Sequence, residues 1–109
     1  RLRHPDTAIP GELIATFKQM GEAAEKIARK TGSVIASRDT EVALQVEKDD
    51  DEMDKLHRQL IGTLVDPNWK HGVESAIDLT LLGRYYERYA DHAVSVSRRV
   101  YYLVTGKFA

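Results

Sequence analysis

The sequence contains no cysteine, so it can form neither a disulfide framework nor a thiolate metal site. Its apolar runs are short: none approaches the roughly 20 residues that a membrane-spanning helix needs, and no signal peptide is visible. The net charge is only −1, so no overall field favours nucleic acid or an anionic membrane as a partner. Together these absences predict a cytoplasmic protein with no membrane span.

A length of 109 residues predicts a single domain. The chain starts at Arg1 rather than at Met, which indicates a fragment of a longer protein. Residues 1–9 are polar and aperiodic and include Pro5, so we expect a linker or tail there. The domain itself is expected over residues 10–106, without internal repeats.

Two amphipathic helices are predicted in the first part of the domain. The first covers residues 10–37, with Pro10 in its first turn, where a missing N–H is tolerated. The second covers residues 40–65, with Asp39 as its N-cap, and ends before Pro67. Its apolar stripe is interrupted once, by Asp49. The stripe of the first helix repeats every seven residues at Leu13, Met20, Ile27 and Val34.

A third and longer helix is predicted over residues 69–105. Asn68 is expected to cap its start and Gly106 its end. Two series of residues repeat every seven positions and define its core seam, including Tyr86 and Tyr89. The series are Leu79, Tyr86, Ala93, Val100 and Leu82, Tyr89, Val96, Leu103.

Three such helices joined by short loops predict an all-α, up-down-up antiparallel three-helix bundle. No strand pattern competes with this assignment. A three-helix core of this size is small, so we expect a second bundle or a partner to add to its stability.

Carboxylates are concentrated on the second and third helices. Like charges four residues apart destabilise a helix, and the pairs Glu47 with Asp51, Asp50 with Asp54, and Glu87 with Asp91 all incur that cost. The predicted turn places Asp50 opposite about residue 85 and Glu47 opposite about residue 88. The carboxylates are therefore expected to converge on one exposed face. This pattern is compatible both with a bound cation and with a solvated acidic face.

An all-carboxylate site suits Mg²⁺, Mn²⁺, Fe or Ca²⁺ better than structural Zn²⁺. His57 and His92 lie near the acidic stretches and are interpreted as surface or supporting residues. Asp54 and His57 have the spacing of a di-iron carboxylate–histidine pair. A di-iron oxidase is nevertheless disfavoured, because that design needs four helices and two Glu-x-x-His motifs.

Two stretches resemble the PhoU family of phosphate-signalling regulators. Residues 84–94, RYYERYADHAV, are similar to the family signature around an E-x-x-x-D motif, and the closing LVTG at residues 103–106 fits too. Residues 50–56, DDEMDKL, resemble the element that carries the companion D-x-x-x-D. The resemblance covers residues 10–106 and implies one three-helix repeat of a two-repeat protein, with the features of its C-terminal half.

The resemblance also implies a site. Asp50, Asp54, Glu87 and Asp91 correspond to metal ligands, with Fe, Mn, Mg or Zn as candidate ions. Glu47 and Asp51 have the same spacing in another register and are secondary candidates. Arg84 and Arg98 are expected to hold the carboxylates by salt bridges. Ser95 and Arg98 depart from the Asn and Glu of many members, which leaves the number of metal ions open.

The function implied by the resemblance is that of an adaptor and repressor rather than an enzyme. Family members restrain the phosphate-starvation regulon and link the phosphate transporter ATPase to a sensor histidine kinase of a two-component system. A homodimer or a second repeat would complete the structure. The alternatives are a cytoplasmic regulatory domain of a phosphate transporter and, less favoured, a carboxylate-metal enzyme. The sequence shows no Gly-rich phosphate loop and no nucleophile paired with a base.

Overall fold

The computed structural model describes residues 9–107, which form three helices. They are α1 (Gly11–Ser37), α2 (Thr40–Leu64) and α3 (Gly72–Thr105), and each packs against the other two. No strand occurs within this range, so the predicted all-α three-helix bundle is confirmed. None of the helices in the described range is long and apolar enough to cross a membrane. The predicted tail over residues 1–9 lies outside the described residues, apart from Ile9.

Residues 38–39 connect α1 to α2, and both helix ends at this short turn are capped. The N–H of Arg38, in the left-handed conformation, donates to the carbonyl of Val34 at 2.8 Å. Asp39 Oδ1 accepts hydrogen bonds from the N–H groups of Glu41 and Val42 at 3.0 and 3.2 Å. The predicted N-cap at Asp39 is therefore confirmed, and it satisfies two donors that the first turn of α2 would leave unpaired.

The stripes predicted for α1 and α2 form most of the core. All four residues of the predicted α1 series are buried. Three of them, Leu13, Met20 and Ile27, share one core cluster with residues of α2, namely Val46, Met53, Leu56, Leu60 and Leu64.

Asp49, which interrupts the α2 stripe, is buried as well. Its oxygens lie 3.6 Å from Lys26 Nζ and 3.0 Å from Lys30 Nζ on α1. The charge is accommodated because two cations on the neighbouring helix reach it.

The connection between α2 and α3 is longer than the sequence suggested. The carbonyl of Asp66 accepts the N–H of Trp69 at 2.9 Å, and Asp66 Oδ1 accepts the N–H of Asn68 at 2.7 Å. With Pro67 in its second position, this segment forms a β-turn. Asn68 is thus a turn residue, and its prediction as the helix cap was wrong. The helix begins only at Gly72, after His71, which makes no side-chain cap hydrogen bond.

The core seam of α3 agrees with one predicted series, since Leu79 and Ala93 are buried, and is shifted by one residue from the other. The buried residues include Gly83, Ala90 and Ser97, whereas Tyr89 is 41% exposed and Leu103 is 72% exposed. The assignment of Tyr89 to the core was therefore wrong. Small residues on this seam allow a close approach: a Cβ added at Gly83 would collide with Leu60 Cδ2. At the end of α3, the predicted Gly106 cap is confirmed, with positive φ and a 2.7 Å hydrogen bond to the Tyr102 carbonyl.

Candidate metal centre

Three carboxylates converge on the surface between α2 and α3. Asp50 and Asp54 lie one turn apart on α2, and Asp91 faces them from α3. One oxygen from each side chain lies within 4.8 Å of the chosen oxygens of the other two. Hard cations bind carboxylate oxygens at about 2.0–2.6 Å, so this separation is compatible with one shared ion. We refer to Asp50, Asp54 and Asp91 as the carboxylate triangle.

Asp50 is the most perturbed member of the carboxylate triangle. It is half-buried, and its Oδ1 is a buried atom without a hydrogen-bond partner in the described structure. Its pKa is raised to about 6, chiefly by burial and then by the charges of Asp54, Asp91 and Asp51. Arg98 acts in the opposite direction. A positive ion at this position would remove the repulsion and provide the missing partner.

Glu87 lies beside the carboxylate triangle but outside it. Its Oε2 is 3.5 Å from His57 Nδ1 on α2, and both side chains are partly buried. The imidazole occupies space left free by Gly83, since a Cβ there would lie 3.3 Å from His57 Cδ2. Burial, followed by the charges of Asp91 and Glu87, raises the pKa of Asp54. The carboxylate of Glu87 thus contributes to the negative field around the triangle from a short distance away.

Glu47 is engaged by an arginine. Arg98 Nε donates to Glu47 Oε2 at 3.1 Å, and Arg98 Nη2 donates to Glu47 Oε1 at 3.2 Å. The hydrogen bond and the charge of Glu47 both raise the pKa of Arg98. This bidentate pair joins α2 to α3 next to Asp50. Because both of its carboxylate oxygens accept hydrogen bonds from Arg98, Glu47 is not a free metal ligand.

The remaining sequence candidates are dispersed. Asp51, Arg84 and His92 are exposed, and none of the three forms an ion pair with another residue in the range 9–107. Asp50, Asp54 and Glu87, expected to be exposed, are half-buried.

The register between α2 and α3 also differs from the expectation. Asp50 meets Asp91 rather than about residue 85, and Glu47 meets Arg98 rather than about residue 88. The cause is the connection over residues 65–71, which delays the start of α3. Sequence reasoning also missed the part played by Gly83, because a count of apolar positions gives no weight to a glycine. The signal was present, because Gly83 is the only glycine between Leu79 and Val104, where the periodic pattern of the third helix lies.

The donor set fits a hard metal ion. All three members of the triangle offer anionic oxygen, no sulfur donor from cysteine exists in the chain, and His57 is directed to Glu87. Such oxygens suit Mg²⁺, Mn²⁺ or Fe²⁺. Three protein ligands leave coordination positions for water or for a further group.

The chain matches the family described as PhoU domain over residues 17–100. It is 49% identical over 108 residues to PhoU homolog 1 of Mycobacterium leprae, and 49% identical to PhoU homolog 2 of Mycobacterium tuberculosis. Both relatives are called phosphate-specific transport system accessory proteins. A homologue from Zymomonas mobilis with the same description is 31% identical over 90 residues, which is 81% of this chain and 38% of that protein.

The alignment covers 99% of this chain but only 49% and 51% of the two mycobacterial proteins. The chain therefore spans about half the length of these relatives. No solved structure matches it.

Proposed function

This chain belongs to the PhoU family, and we propose that it acts as a metal-binding adaptor in phosphate signalling. The observation that carries the metal part of the proposal is the convergence of Asp50, Asp54 and Asp91 across two helices. The phosphate part is supported by relatives that are named as accessory proteins of phosphate transport.

The metal ion is held by the carboxylate triangle, with Glu87 as an additional acidic neighbour. The ion supplies positive charge that offsets repulsion among the carboxylates and joins α2 to α3 at mid-length. Asp50 contributes most, because it combines burial with an oxygen that has no partner. Mn²⁺, Fe²⁺ and Mg²⁺ are the favoured ions, and Zn²⁺ is less suited to three carboxylates.

The adaptor acts in the cytoplasm on two partners. One is the ATPase subunit of a phosphate transporter, and the other is a sensor histidine kinase whose output it restrains when phosphate is plentiful. Support for these partners comes from the family resemblance. No catalysis is proposed, since the charged groups around the triangle are engaged with one another: Glu87 with His57, and Glu47 with Arg98.

Binding to purified partners tests the proposal. The tagged chain is immobilised and offered the transporter ATPase subunit or the cytoplasmic part of the sensor kinase from the same organism, with Mn²⁺ or with a chelator. We expect capture of at least one partner, weakened in Asp91→Asn and unchanged in Asp51→Asn. Capture of neither partner, together with metal-dependent hydrolysis of a phosphoester, would favour the enzyme alternative instead. An upstream reading frame that encodes membrane spans would favour a transporter regulatory domain.

A further inference from the structure

The carboxylate triangle lies between two glutamates along the boundary of α2 and α3. On one side, Glu87 Oε2 of α3 lies 3.5 Å from His57 Nδ1 of α2. On the other side, Glu47 of α2 accepts hydrogen bonds from Arg98 Nε and Nη2 of α3 at 3.1 and 3.2 Å. Each glutamate is thus paired with a side chain of the opposite helix, and the two pairs flank the triangle.

The positive charge of Arg98 reaches the triangle as well as Glu47. Glu47 precedes Asp50 by three residues, so both side chains project from the same face of α2. The charge of Arg98 lowers the pKa of Asp50, and the charge of Asp50 adds to the causes that raise the pKa of Arg98. A guanidinium stays protonated in proteins. Arg98 is therefore a permanent positive charge at one end of the candidate metal centre.

We propose that Arg98 limits the carboxylate triangle to one metal ion, because its guanidinium takes the place beside Glu47 and Asp50 that a second ion would need. The inference rests on the proposed metal-binding function and adds the number of ions to it. In sites with two metal ions, the ions lie about 3.5–4 Å apart. Glu47 and Asp50 are close enough in sequence to serve such a pair, with Asp50 shared between the ions. Arg98 acts here as a positioning residue, since it contacts Glu47 and not the ion.

The balance of charge favours a single ion as long as Arg98 is present. One divalent ion against the three aspartates leaves one negative charge, and the pair of Glu47 with Arg98 is neutral. A second divalent ion would turn the site positive and would lie next to a guanidinium that repels it. Without Arg98, the carboxylate of Glu47 joins the three aspartates, and two divalent ions then neutralise the four acidic groups.

The alternative is an ion pair that only joins the two helices. The side chain of Arg98 is 56% exposed, and exposed ion pairs contribute little to stability. A purely structural role predicts that the loss of Arg98 slightly lowers the melting temperature and leaves the number of bound ions unchanged. The proposed role predicts that the number of bound ions rises. Counting the ions therefore distinguishes the two roles.

The test titrates the metal-free chain with Mn²⁺ and counts the bound ions by native mass spectrometry. We expect about one ion per chain in wild type and about two in Arg98→Gln, which frees Glu47. Arg98→Lys keeps the positive charge and should remain at about one. The electron paramagnetic resonance spectrum of bound Mn²⁺ should show resolved hyperfine lines in wild type. In Arg98→Gln it should broaden, because two neighbouring ions interact.

Two control variants separate this effect from a general loss of charge. Arg99→Gln makes the same substitution at the next residue, which is also exposed, and should bind as many ions as wild type. The double variant Glu47→Gln with Arg98→Gln should return to about one ion, because the second ion needs the carboxylate of Glu47. Circular dichroism verifies that each variant keeps its helices.

The possible outcomes separate this inference from the proposed function. About two ions in wild type, or about one in Arg98→Gln, would overturn the limit set by Arg98 and would leave metal binding by the triangle intact. A second ion that persists in the double variant would overturn the role of Glu47 and with it the inference. A chain that binds no Mn²⁺ in any form would overturn both the inference and the proposed metal binding.

Discussion

Asp50 on α2 and Asp91 on α3 bring carboxylate oxygens within 4.8 Å of each other, although folding gains nothing from placing two negative charges side by side. The approach is imposed by the packing of the helices around it. On one side Leu60 packs over Gly83, and on the other Glu47 and Arg98 form a bidentate pair. Contacts elsewhere between α2 and α3 thus hold the two carboxylates close together in spite of their repulsion. This is the arrangement expected of a preformed cation site.

The first prediction concerns metal binding. Mn²⁺, Fe²⁺ or Mg²⁺ should raise the melting temperature of the wild-type chain, with a stabilisation of about 2.7 kcal/mol at a hundredfold excess over Kd. Asp91→Asn should abolish the shift, because it removes one corner of the triangle. Glu87→Gln should retain most of the shift, since Glu87 is directed to His57. Differential scanning calorimetry with Asp51→Asn as the matched control provides the measurement. Equal losses in Asp91→Asn and Asp51→Asn would contradict the assignment.

The second prediction concerns pH in metal-free buffer. The pKa of Asp50 is raised from 3.8 to about 6 in the folded state, so the folded state holds its proton more tightly. The stability that comes from protonated Asp50 is present below about pH 4 and is lost as the pH rises through about 6.

Asp50→Asn removes the ionisable group and therefore the loss of stability that its ionisation causes. At pH 7 the variant should be more stable than wild type by about 1 kcal/mol, a value reduced for solvent screening of a half-exposed group. The difference should disappear near about pH 3. Urea unfolding across this range measures it, and a difference that does not change with pH would disprove the linkage.

The third prediction compares two helical glycines. Gly83→Ala places a methyl group against Leu60 and should destabilise the chain by about 1 kcal/mol, since overpacking outweighs the better helix propensity of alanine. Gly32→Ala has nothing within 4 Å of the added carbon and should stabilise it by about 0.5–1 kcal/mol. Chemical denaturation of both variants gives the comparison. Stabilisation by both substitutions would show that α2 and α3 have room to separate.

The fourth prediction concerns the buried charge of Asp49. Replacing both Lys26 and Lys30 by Met leaves this carboxylate without a cation and should cost about 3 kcal/mol. Asp49→Leu should be nearly neutral or stabilising, because leucine continues the apolar stripe of α2. The free energy of unfolding distinguishes the two variants. A large loss in Asp49→Leu would mean that the ion pairs themselves stabilise the fold.

The sequence predicts the buried residues of α1 and α2 better than those of α3, for a physical reason. In α1 and α2 most of the buried residues are large and apolar, so a seven-residue period located most of them, and Asp39 identified the start of α2. In α3 the buried seam contains Gly83, Ala90 and Ser97, whose small side chains carry little hydrophobic signal. The more apolar series beside it gave the stronger pattern, but two of its members, Tyr89 and Leu103, are exposed.

The local chemistry of the chain by itself determined the helices, the Asp39 and Gly106 caps and the family, because each depends on residues close together in sequence. It also identified the acidic residues from which the candidate site is drawn. Only the tertiary structure decided which of them meet. The β-turn at residues 66–69 and the close approach at Gly83 set the register of α3 against α2. In that register Asp91 lies close to Asp50 and Asp54, Glu87 contacts His57, and Glu47 pairs with Arg98. Side chains on different helices are positioned by packing over their whole length, and no spacing within one helix contains that information.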